Sequence, residues 1–243
     1  MIKGVLFDLG GTLVSYKNVD SSIEILLSEL KQRSLTDFSV KELLAFYKEA
    51  STDVASHFIN KKYYLHRELF TEIFKKFLVR ANIEAEPNFF NWFPHLHETL
   101  LVDSFDLIQS AKKTLIGLKK KNLVIGIVSN IDNRMFEKIC IKTQLDQMID
   151  FKLSSETANS CKPDRKIFEI ARKKIGLDNS ELLFVGDSIE HDIIGSRNFG
   201  IKSVLFFEKD IRAPLQSGNC KTEPDFKITD LSELNDLILN LNR

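Results

Sequence analysis

The first strand-like run of this sequence is separated from the next one by more than a hundred residues. The run from Val5 to Leu9 is apolar and ends at a Gly-Gly turn, which is typical of a fully buried strand. Residues 15–101 carry almost no strand signal, and the next apolar run begins at Leu123. The first strand can join the later ones only if the segment between them is an insertion. We therefore predict an α/β domain that is interrupted after its first strand.

The inserted segment has the hydrophobic spacing of helices. Apolar residues recur at positions 23, 26, 27 and 30, which places them on one helical face. Ser39 is followed three residues later by Glu42, a capping-box pattern that marks the start of a helix. We predict that residues 15–101 form a small helical domain, and that residues 1–14 and 102–243 together form the α/β core.

Strand-like and helical patterns alternate after the insertion. The apolar runs lie at 123–128, 182–185 and 204–207, and the helical patterns lie at 134–142, 163–175 and 189–198. Such alternation predicts a doubly wound parallel sheet, a Rossmann-like core with helices on both faces. Residues 213–224 are predicted to form a loop.

Charge and cysteine content exclude several kinds of partner. The 34 basic residues equal the 34 acidic ones and form no long basic run, so we expect binding to neither nucleic acid nor a membrane surface. No apolar stretch is long enough to span a bilayer, and Asp8 interrupts the first apolar run, which excludes a signal peptide. Three cysteines without metal-like spacing favour a reducing compartment, and we predict a cytoplasmic protein.

Polar residues follow the carboxyl ends of four predicted strands. They are Asp8, Ser129 with Asn130, Lys162 after a further run at 151–153, and Asp187 with Asp192. Each one alone is commonly a turn residue, a helix cap or a solvated side chain. In an open parallel sheet, however, ligands bind at the carboxyl ends of the strands. Acids, a hydroxyl group and a lysine that meet at this edge therefore indicate a ligand site.

These segments carry a resemblance to a known family. The sequence FDLGGTL at 7–13 resembles the first motif of the haloacid dehalogenase-like superfamily, whose phosphatases carry Asp-x-Asp-Gly-Thr. VSN at 128–130 is similar to the second motif, and KPD at 162–164 is similar to the third. The segment 185–200, which begins VGDSIEHD, resembles the fourth, and all four occur in the family's order. The helical insertion resembles the family's helical cap in position and length only.

The resemblance implies a hydrolase that acts on a small phosphorylated metabolite. Asp8 would attack phosphorus and form a phospho-aspartate. Lys162 would supply a positive charge next to Asp8 and the transferred group. Mg²⁺ would be held by Asp8, Asp187 and the carbonyl group of Gly10, with Asp192 as a further ligand or as a residue that orients the metal's waters.

The resemblance also implies which groups bind the substrate. Ser129, together with main-chain N–H groups at the start of the following helix, would hold phosphate oxygens. Asn130, Thr12 and Lys162 belong to the same predicted substrate-binding set, and Thr12 would also fix the loop after Asp8. The identity of the substrate and the oligomeric state stay open.

Gly10 departs from the pattern of the phosphatases. They carry a second acid at this position, which protonates the leaving alcohol and later activates water. Loss of such a group costs about 10²–10⁴-fold in rate. If only proton transfer is missing, a carboxylate introduced by Gly10→Asp should raise turnover.

The absence of an acid at Gly10 leaves two other functions open, phosphonate cleavage and ligand binding without turnover. Dehalogenation fits poorly, because the dehalogenases of the superfamily work without metal and lack the acidic pattern kept at Asp187 and Asp192. Cleavage of a phosphonate would need a lysine of the helical domain to form a Schiff base, and the available lysines are Lys41, Lys48, Lys61 and Lys62. A catalytically weakened protein that only binds a phosphorylated ligand is the alternative from another class.

Overall fold

Among the residues that the structure describes, the core is a parallel sheet of six strands. The computed structural model describes residues 1–34, 36–59, 61–84, 88–209, 211 and 222–243. The strands are β1 Gly4–Phe7, β2 Val124–Ser129, β3 Phe151–Ser154, β4 Leu182–Gly186, β5 Lys202–Phe206 and β6 Phe226–Ile228. Their order in the sheet is β3-β2-β1-β4-β5-β6, and every neighbouring pair is parallel. The predicted doubly wound α/β fold is confirmed.

Helices fill the long segment after β1 and the connections between the later strands. Those before β2 are α1 Val19–Arg33, α2 Val40–Phe58, α3 His66–Arg80, α4 Phe89–Ser104 and α5 Ala111–Lys120. Those after β2 are α6 Asn133–Thr143, α7 Ser155–Ala158, α8 Arg165–Ile175, α9 Ile194–Phe199 and α10 Leu234–Leu241. Helix α2 begins with the predicted capping box, in which Ser39 and Glu42 bond each other's main-chain N–H groups. Among the described residues, no helix is both long and apolar enough to cross a membrane.

The two faces of the sheet are covered differently. On one face, Leu6 and Phe184 pack with Phe168 of α8 in a buried cluster. On the other face, Val5 and Phe7 belong to a larger cluster that continues into the helical segment 19–104. Strands buried on both faces need apolar residues in succession, which is why β1 and β4 show no alternation.

The helical segment is fastened to the core close to the carboxyl ends of the strands. Asp132, just after β2, accepts hydrogen bonds from the main-chain N–H groups of His66 (2.7 Å) and Arg67 (2.9 Å) and so caps the start of α3. The main-chain N–H group of Cys161 donates to the carbonyl oxygen of Lys62 at 2.8 Å. Helix α4 continues to Ser104, past the predicted limit at 101. The division into two domains stays a prediction, and most of the loop predicted at 213–224 lies outside the described residues.

His97 of α4 makes the folded state sensitive to acid. Its side chain is buried, and its Nε2 atom lies 3.2 Å from the Tyr47 hydroxyl oxygen in a shared hydrogen bond. Burial lowers the pKa of His97 from 6.5 to about 4. The unfolded chain therefore takes up a proton at a pH at which the folded chain does not. The contribution of neutral His97 to the free energy of unfolding is therefore full above pH 6.5 and is lost as the pH falls towards 4.

We expect His97 to cost about 2 kcal/mol of stability when the pH is lowered from about 7.5 to about 5. His97→Gln should remove that part of the pH dependence, as measured by urea unfolding at both pH values. His57→Gln, at an exposed position of the same helical segment, is the matched control and should keep it. An unchanged pH dependence in His97→Gln would show that this histidine is not the source.

Candidate active site

The predicted polar residues meet at one edge of the sheet. Asp8 follows the last residue of β1, and Asp187 follows the last residue of β4. Ser129 is the last residue of β2. Because β1 lies between β2 and β4, the carboxyl ends of these three strands are adjacent. The sheet therefore brings together groups that lie far apart in the sequence.

Lys162 joins two of the carboxylates. Its Nζ atom donates to Asp8 Oδ1 at 2.6 Å and to Asp192 Oδ1 at 2.6 Å. All three side chains are buried. Burial alone lowers the pKa of Lys162, but the nearby Asp192 and Asp8 raise it above 10.5, so the amine stays charged. The site thus holds a fixed cation in direct contact with the predicted nucleophile.

Asp192 has both carboxylate oxygens engaged by the protein. Oδ1 accepts from Lys162, and Oδ2 accepts from the main-chain N–H group of Ser188 at 3.0 Å. Burial raises the pKa of Asp192 from 3.8 to about 6, against the influence of Lys162. Asp192 therefore holds Lys162 and the loop after β4 in place, and its role towards the metal, as a ligand or as a residue that orients the metal's waters, stays a prediction.

The carboxylate cluster has the composition of a site for a hard cation. Asp8, Asp187 and Asp192 each offer an oxygen, and these three atoms lie within 4.8 Å of one another. Burial raises the pKa of Asp187 well above 3.8, and the charges of Asp192 and Asp8 raise it further. A divalent cation relieves such repulsion, and carboxylate oxygens are the ligands that Mg²⁺ prefers. The donor set therefore fits Mg²⁺.

Asn130 is bound to the main chain of Lys162. Its Oδ1 atom accepts from the Lys162 N–H group at 2.7 Å, and its Nδ2 atom donates to the Lys162 carbonyl oxygen at 3.0 Å. Both hydrogen bonds fix the backbone that carries the buried lysine. The structure thus gives Asn130 a positioning role, and its predicted contact with substrate stays a prediction.

The two hydroxyl groups predicted to serve the substrate are both buried near Asp8. Ser129 is 5% exposed, and Thr12 is fully buried. Thr12 Oγ1 has no hydrogen-bond partner among the described residues, although buried hydroxyl groups normally have one. A phosphate oxygen or a water molecule would satisfy it.

Tyr16 lies over Gly10, which sequence reasoning did not foresee. A Cβ atom built on Gly10 would lie 2.9 Å from Tyr16 Cζ and closer still to the hydroxyl oxygen. Position 10 therefore has no room for the carboxylate that Gly10→Asp would introduce, and the expectation of a simple gain in turnover loses its premise. No local pattern marks Tyr16, because its contact with Gly10 depends on how the loop folds back.

The helical segment also brings His66 to the site. The ring of His66 stacks on Tyr64 with the centroids 5.6 Å apart. Burial lowers the pKa of His66, whereas the charges of Asp132 and Asp8 raise it. Both of these carboxylates belong to the α/β core, so the helical segment places His66 beside the candidate site.

The sequence matches a known family over most of its length. The model of that family, described as haloacid dehalogenase-like hydrolase, matches residues 2–200. The chain belongs to this family. The predicted family membership and the prediction of an enzyme are therefore confirmed.

Relatives within the haloacid dehalogenase-like family cover nearly the whole chain. The glyceraldehyde 3-phosphate phosphatase of Pyrococcus furiosus is 30% identical over 239 residues, which cover 96% of this chain and 91% of the relative. The ribulose-1,5-bisphosphate 5-phosphatase of Halopiger xanaduensis is 25% identical and covers 98% of this chain and 100% of its own. Among solved structures, the HAD-hydrolase YfnB of Bacillus subtilis bound to magnesium has a TM-score of 0.78 at 20% identity and covers 98% of both chains. At this level of identity, the similarity to YfnB shows a shared fold only.

Proposed function

We propose that this chain is a Mg²⁺-dependent phosphatase that hydrolyses a small phosphorylated sugar through attack of Asp8 on phosphorus. The observation that carries the proposal is the contact between Asp8 and Lys162, whose Nζ and Oδ1 atoms lie 2.6 Å apart. A carboxylate that attacks a phosphate dianion meets electrostatic repulsion, and a fixed cation beside it lowers that repulsion.

The first step transfers the phosphoryl group to the enzyme. An oxygen of Asp8 forms a bond to phosphorus while the bond between phosphorus and the ester oxygen breaks, and the leaving alkoxide takes a proton from water to become the alcohol. Lys162 stays charged and balances the negative charge on the transferred group. Ser129 and Thr12 are the hydroxyl groups available to hold its oxygens.

The second step releases phosphate. Water attacks the phosphorus of phospho-Asp8, the bond to the Asp8 oxygen breaks, and inorganic phosphate leaves with the carboxylate restored. Splitting one displacement into two lowers the barrier of each. Asn130 and Asp192 serve both steps, because they keep the Lys162 amine in place.

Asp8, Asp187 and the carbonyl group of Gly10 are the groups proposed to hold Mg²⁺, with Asp192 behind them. When bound, the ion supplies a second positive charge that stabilises the negative oxygens of the phosphoryl group. The mutual proximity of the three carboxylates supports this assignment.

The relatives point to the class of substrate. By their names, one acts on glyceraldehyde 3-phosphate and the other removes the 5-phosphate of ribulose 1,5-bisphosphate. Both are short sugars whose phosphate is an ester of a terminal carbon. We propose the same class for this chain, and a cytoplasmic location, where such metabolites occur, is part of the proposal.

A phosphonate-cleaving activity finds less support in the helical segment. Lys48 forms an ion pair with Asp20 at 2.6 Å, and Lys61 lies over the ring of Phe58. Lys62 is exposed. A lysine that forms a Schiff base needs a desolvated, uncharged amine. An exposed lysine and one bound in an ion pair do not provide it.

A screen of terminal sugar phosphates tests the proposed function. The purified full chain with Mg²⁺ is expected to release phosphate steadily from at least one three- to five-carbon sugar phosphate, and excess chelator should stop the release. A phosphonate and a haloacid belong in the same screen. Activity that persists in chelator would contradict the proposal. A single burst of phosphate bound to protein without turnover would favour the ligand-binding alternative.

Mg²⁺ should also stabilise the folded chain. A ligand present at a hundred times its dissociation constant adds about 2.7 kcal/mol, which for a chain of this size raises Tm by roughly 5–10 °C. Asp187→Asn should lose most of that shift in a thermal melt with and without Mg²⁺. Asp150→Asn is the matched control, because Asp150 bonds the Ile125 N–H group at the start of β2, the opposite edge of the sheet. Equal shifts in the two variants would contradict the assigned metal site.

A further inference from the structure

The loop after β1 folds back so that Tyr16 returns to Gly10. The carbonyl oxygen of Leu9 accepts hydrogen bonds from the main-chain N–H groups of Leu13 (2.8 Å) and Val14 (2.9 Å). Val14 in turn accepts from the Gly11 N–H group at 2.7 Å. These bonds close the loop on itself within six residues of Asp8, and Tyr16 lies two residues after Val14.

The ring of Tyr16 is held in place from several sides. Its edge contacts the ring of Phe105, with centroids 6.0 Å apart and the planes at 63°. The ring also lies on Gly11, where an added Cβ atom would be 2.7 Å from Tyr16 Cε2. The carbonyl oxygen of Tyr16 accepts from the Val19 N–H group at 3.0 Å, at the start of α1. Tyr16 is therefore a fixed part of the site wall and cannot easily swing away.

Position 10 requires a glycine because there is no space for a side chain, and not because of its backbone conformation. Gly11, Gly176 and Gly200 are the described glycines with positive φ, and Gly10 is not among them. A side chain at position 10 would thus be allowed by the backbone. What excludes it is the Tyr16 hydroxyl group, which occupies the space next to the Gly10 Cα atom. Gly10 and Tyr16 form one unit, in which the glycine makes space for the phenol.

The phenol oxygen occupies the space that a side chain at position 10 would enter. The Tyr16 hydroxyl oxygen is the atom nearest to the Cβ atom built on Gly10. The loop thus brings the hydroxyl group of residue 16 to the place where a side chain of residue 10 would begin.

The hydroxyl group is a hydrogen-bond donor near neutral pH. A tyrosine phenol has a pKa of about 10, so it carries its proton at pH 7. A neutral phenol donates a hydrogen bond. The ring of Tyr16 and the carboxylate of Asp187 both lie against Gly11, which places the phenol beside the carboxylate cluster.

We propose that Tyr16 is a catalytic residue whose hydroxyl group, seated over Gly10, donates a hydrogen bond to the ester oxygen that leaves phosphorus. This inference rests on the proposed phosphatase function. The proton stays on the phenol, and the hydrogen bond stabilises the negative charge that grows on the leaving oxygen as its bond to phosphorus breaks. Such a donor matters most for an alkyl ester, whose leaving oxygen carries the most charge, and least for an aryl ester.

Tyr16→Phe tests this role by removing one oxygen atom. We expect kcat for the best alkyl phosphate of the screen to fall by at least about tenfold, the scale of a hydrogen bond to a charged group. KM should change less than about threefold, and kcat for 4-nitrophenyl phosphate should change less than about threefold, because its leaving oxygen needs little stabilisation. Tyr63→Phe makes the same deletion on another tyrosine and should leave both rates unchanged.

The leaving-group dependence separates a catalytic hydroxyl from a merely structural one. Equal losses on the alkyl and the aryl ester, or no loss on either, would overturn the inference while leaving the phosphatase function intact. A wild-type chain that hydrolyses no phosphate ester would overturn the proposed function and this inference with it.

An exchange of groups provides a second test. Gly10→Asp alone should lower activity, because Tyr16 occupies the space of the new side chain. Tyr16→Ala clears that space and lowers alkyl ester turnover, and Gly10→Asp added to Tyr16→Ala should then raise that turnover by at least about tenfold. Circular dichroism and melting curves verify that each variant is folded. Should Gly10→Asp alone raise alkyl ester turnover in the presence of Tyr16, the hydroxyl group does not fill the place of the acid.

Discussion

Replacing Asp8 with asparagine should lower kcat for phosphate ester hydrolysis by at least about a thousandfold, the scale expected when a covalent nucleophile is lost. Asparagine has nearly the same shape but is a poor nucleophile. Lys162 keeps its contact with Asp192, so the site should stay assembled. KM is therefore expected to change much less than kcat. Steady-state kinetics on the best substrate of the screen measures both.

A direct observation of the intermediate makes the Asp8 experiment more specific. Acid quenching during turnover, followed by peptide mass spectrometry, should find phosphate on Asp8 in the wild type and none in Asp8→Asn. Asp150→Asn makes the same chemical change at the opposite edge of the sheet and should keep kcat within about threefold. A residual rate in Asp8→Asn within tenfold of the wild type would rule out Asp8 as the nucleophile.

Lys162→Met should damage both activity and stability. Two buried carboxylates, Asp8 and Asp192, lose their shared cation, and breaking a buried ion pair from one side costs about 3–5 kcal/mol. We expect the free energy of unfolding without Mg²⁺ to fall by that amount at about pH 7.5. We also expect kcat to fall by at least about a thousandfold, because the charge that offsets the attack on phosphate is gone.

The pH dependence of Lys162→Met follows from Asp192. The folded-state pKa of Asp192 is raised to about 6 from 3.8, so its protonated form is favoured in the folded chain. Loss of the lysine removes an influence that lowers this pKa, so it should rise further. The stability deficit should therefore shrink as the pH is lowered towards about 6 and change little below it. Urea unfolding at several pH values measures this.

Lys152 offers a matched control for the lysine experiment. Its Nζ atom also contacts two carboxylates, Asp146 at 2.8 Å and Glu137 at 2.7 Å, but its side chain is 27% exposed and lies at the edge strand β3. Solvent screens such pairs, and we expect Lys152→Met to cost less than about 1 kcal/mol and to leave kcat within about threefold. If the two variants lose the same stability and activity, the burial of Lys162 between its carboxylates is not what makes it important.

The sequence by itself determined the class of fold and the edge of the sheet where the site lies. Short runs of apolar residues predict strands that are buried on both faces, and the alternation of such runs with helical patterns predicts a parallel sheet. Asp8 and Asp187 come directly after such runs, so their place at the carboxyl edge follows from local pattern alone. The capping box at Ser39 is equally local. The short strand β6, Phe226–Ile228, escaped notice because three residues with a lysine in the middle show no period.

Only the tertiary structure decided which groups touch. Lys162 lies 154 residues from Asp8 in the chain, and its choice of Asp8 and Asp192 as partners depends on the order of the strands. Asp132 caps α3 across the boundary between the core and the helical segment, which no pattern around residue 132 indicates. Tyr16 fills the space over Gly10 because its loop closes on the Leu9 carbonyl oxygen. The spacing of apolar residues in a segment predicts which of its faces is buried. It does not predict contacts between distant segments, because these arise only when the segments pack together.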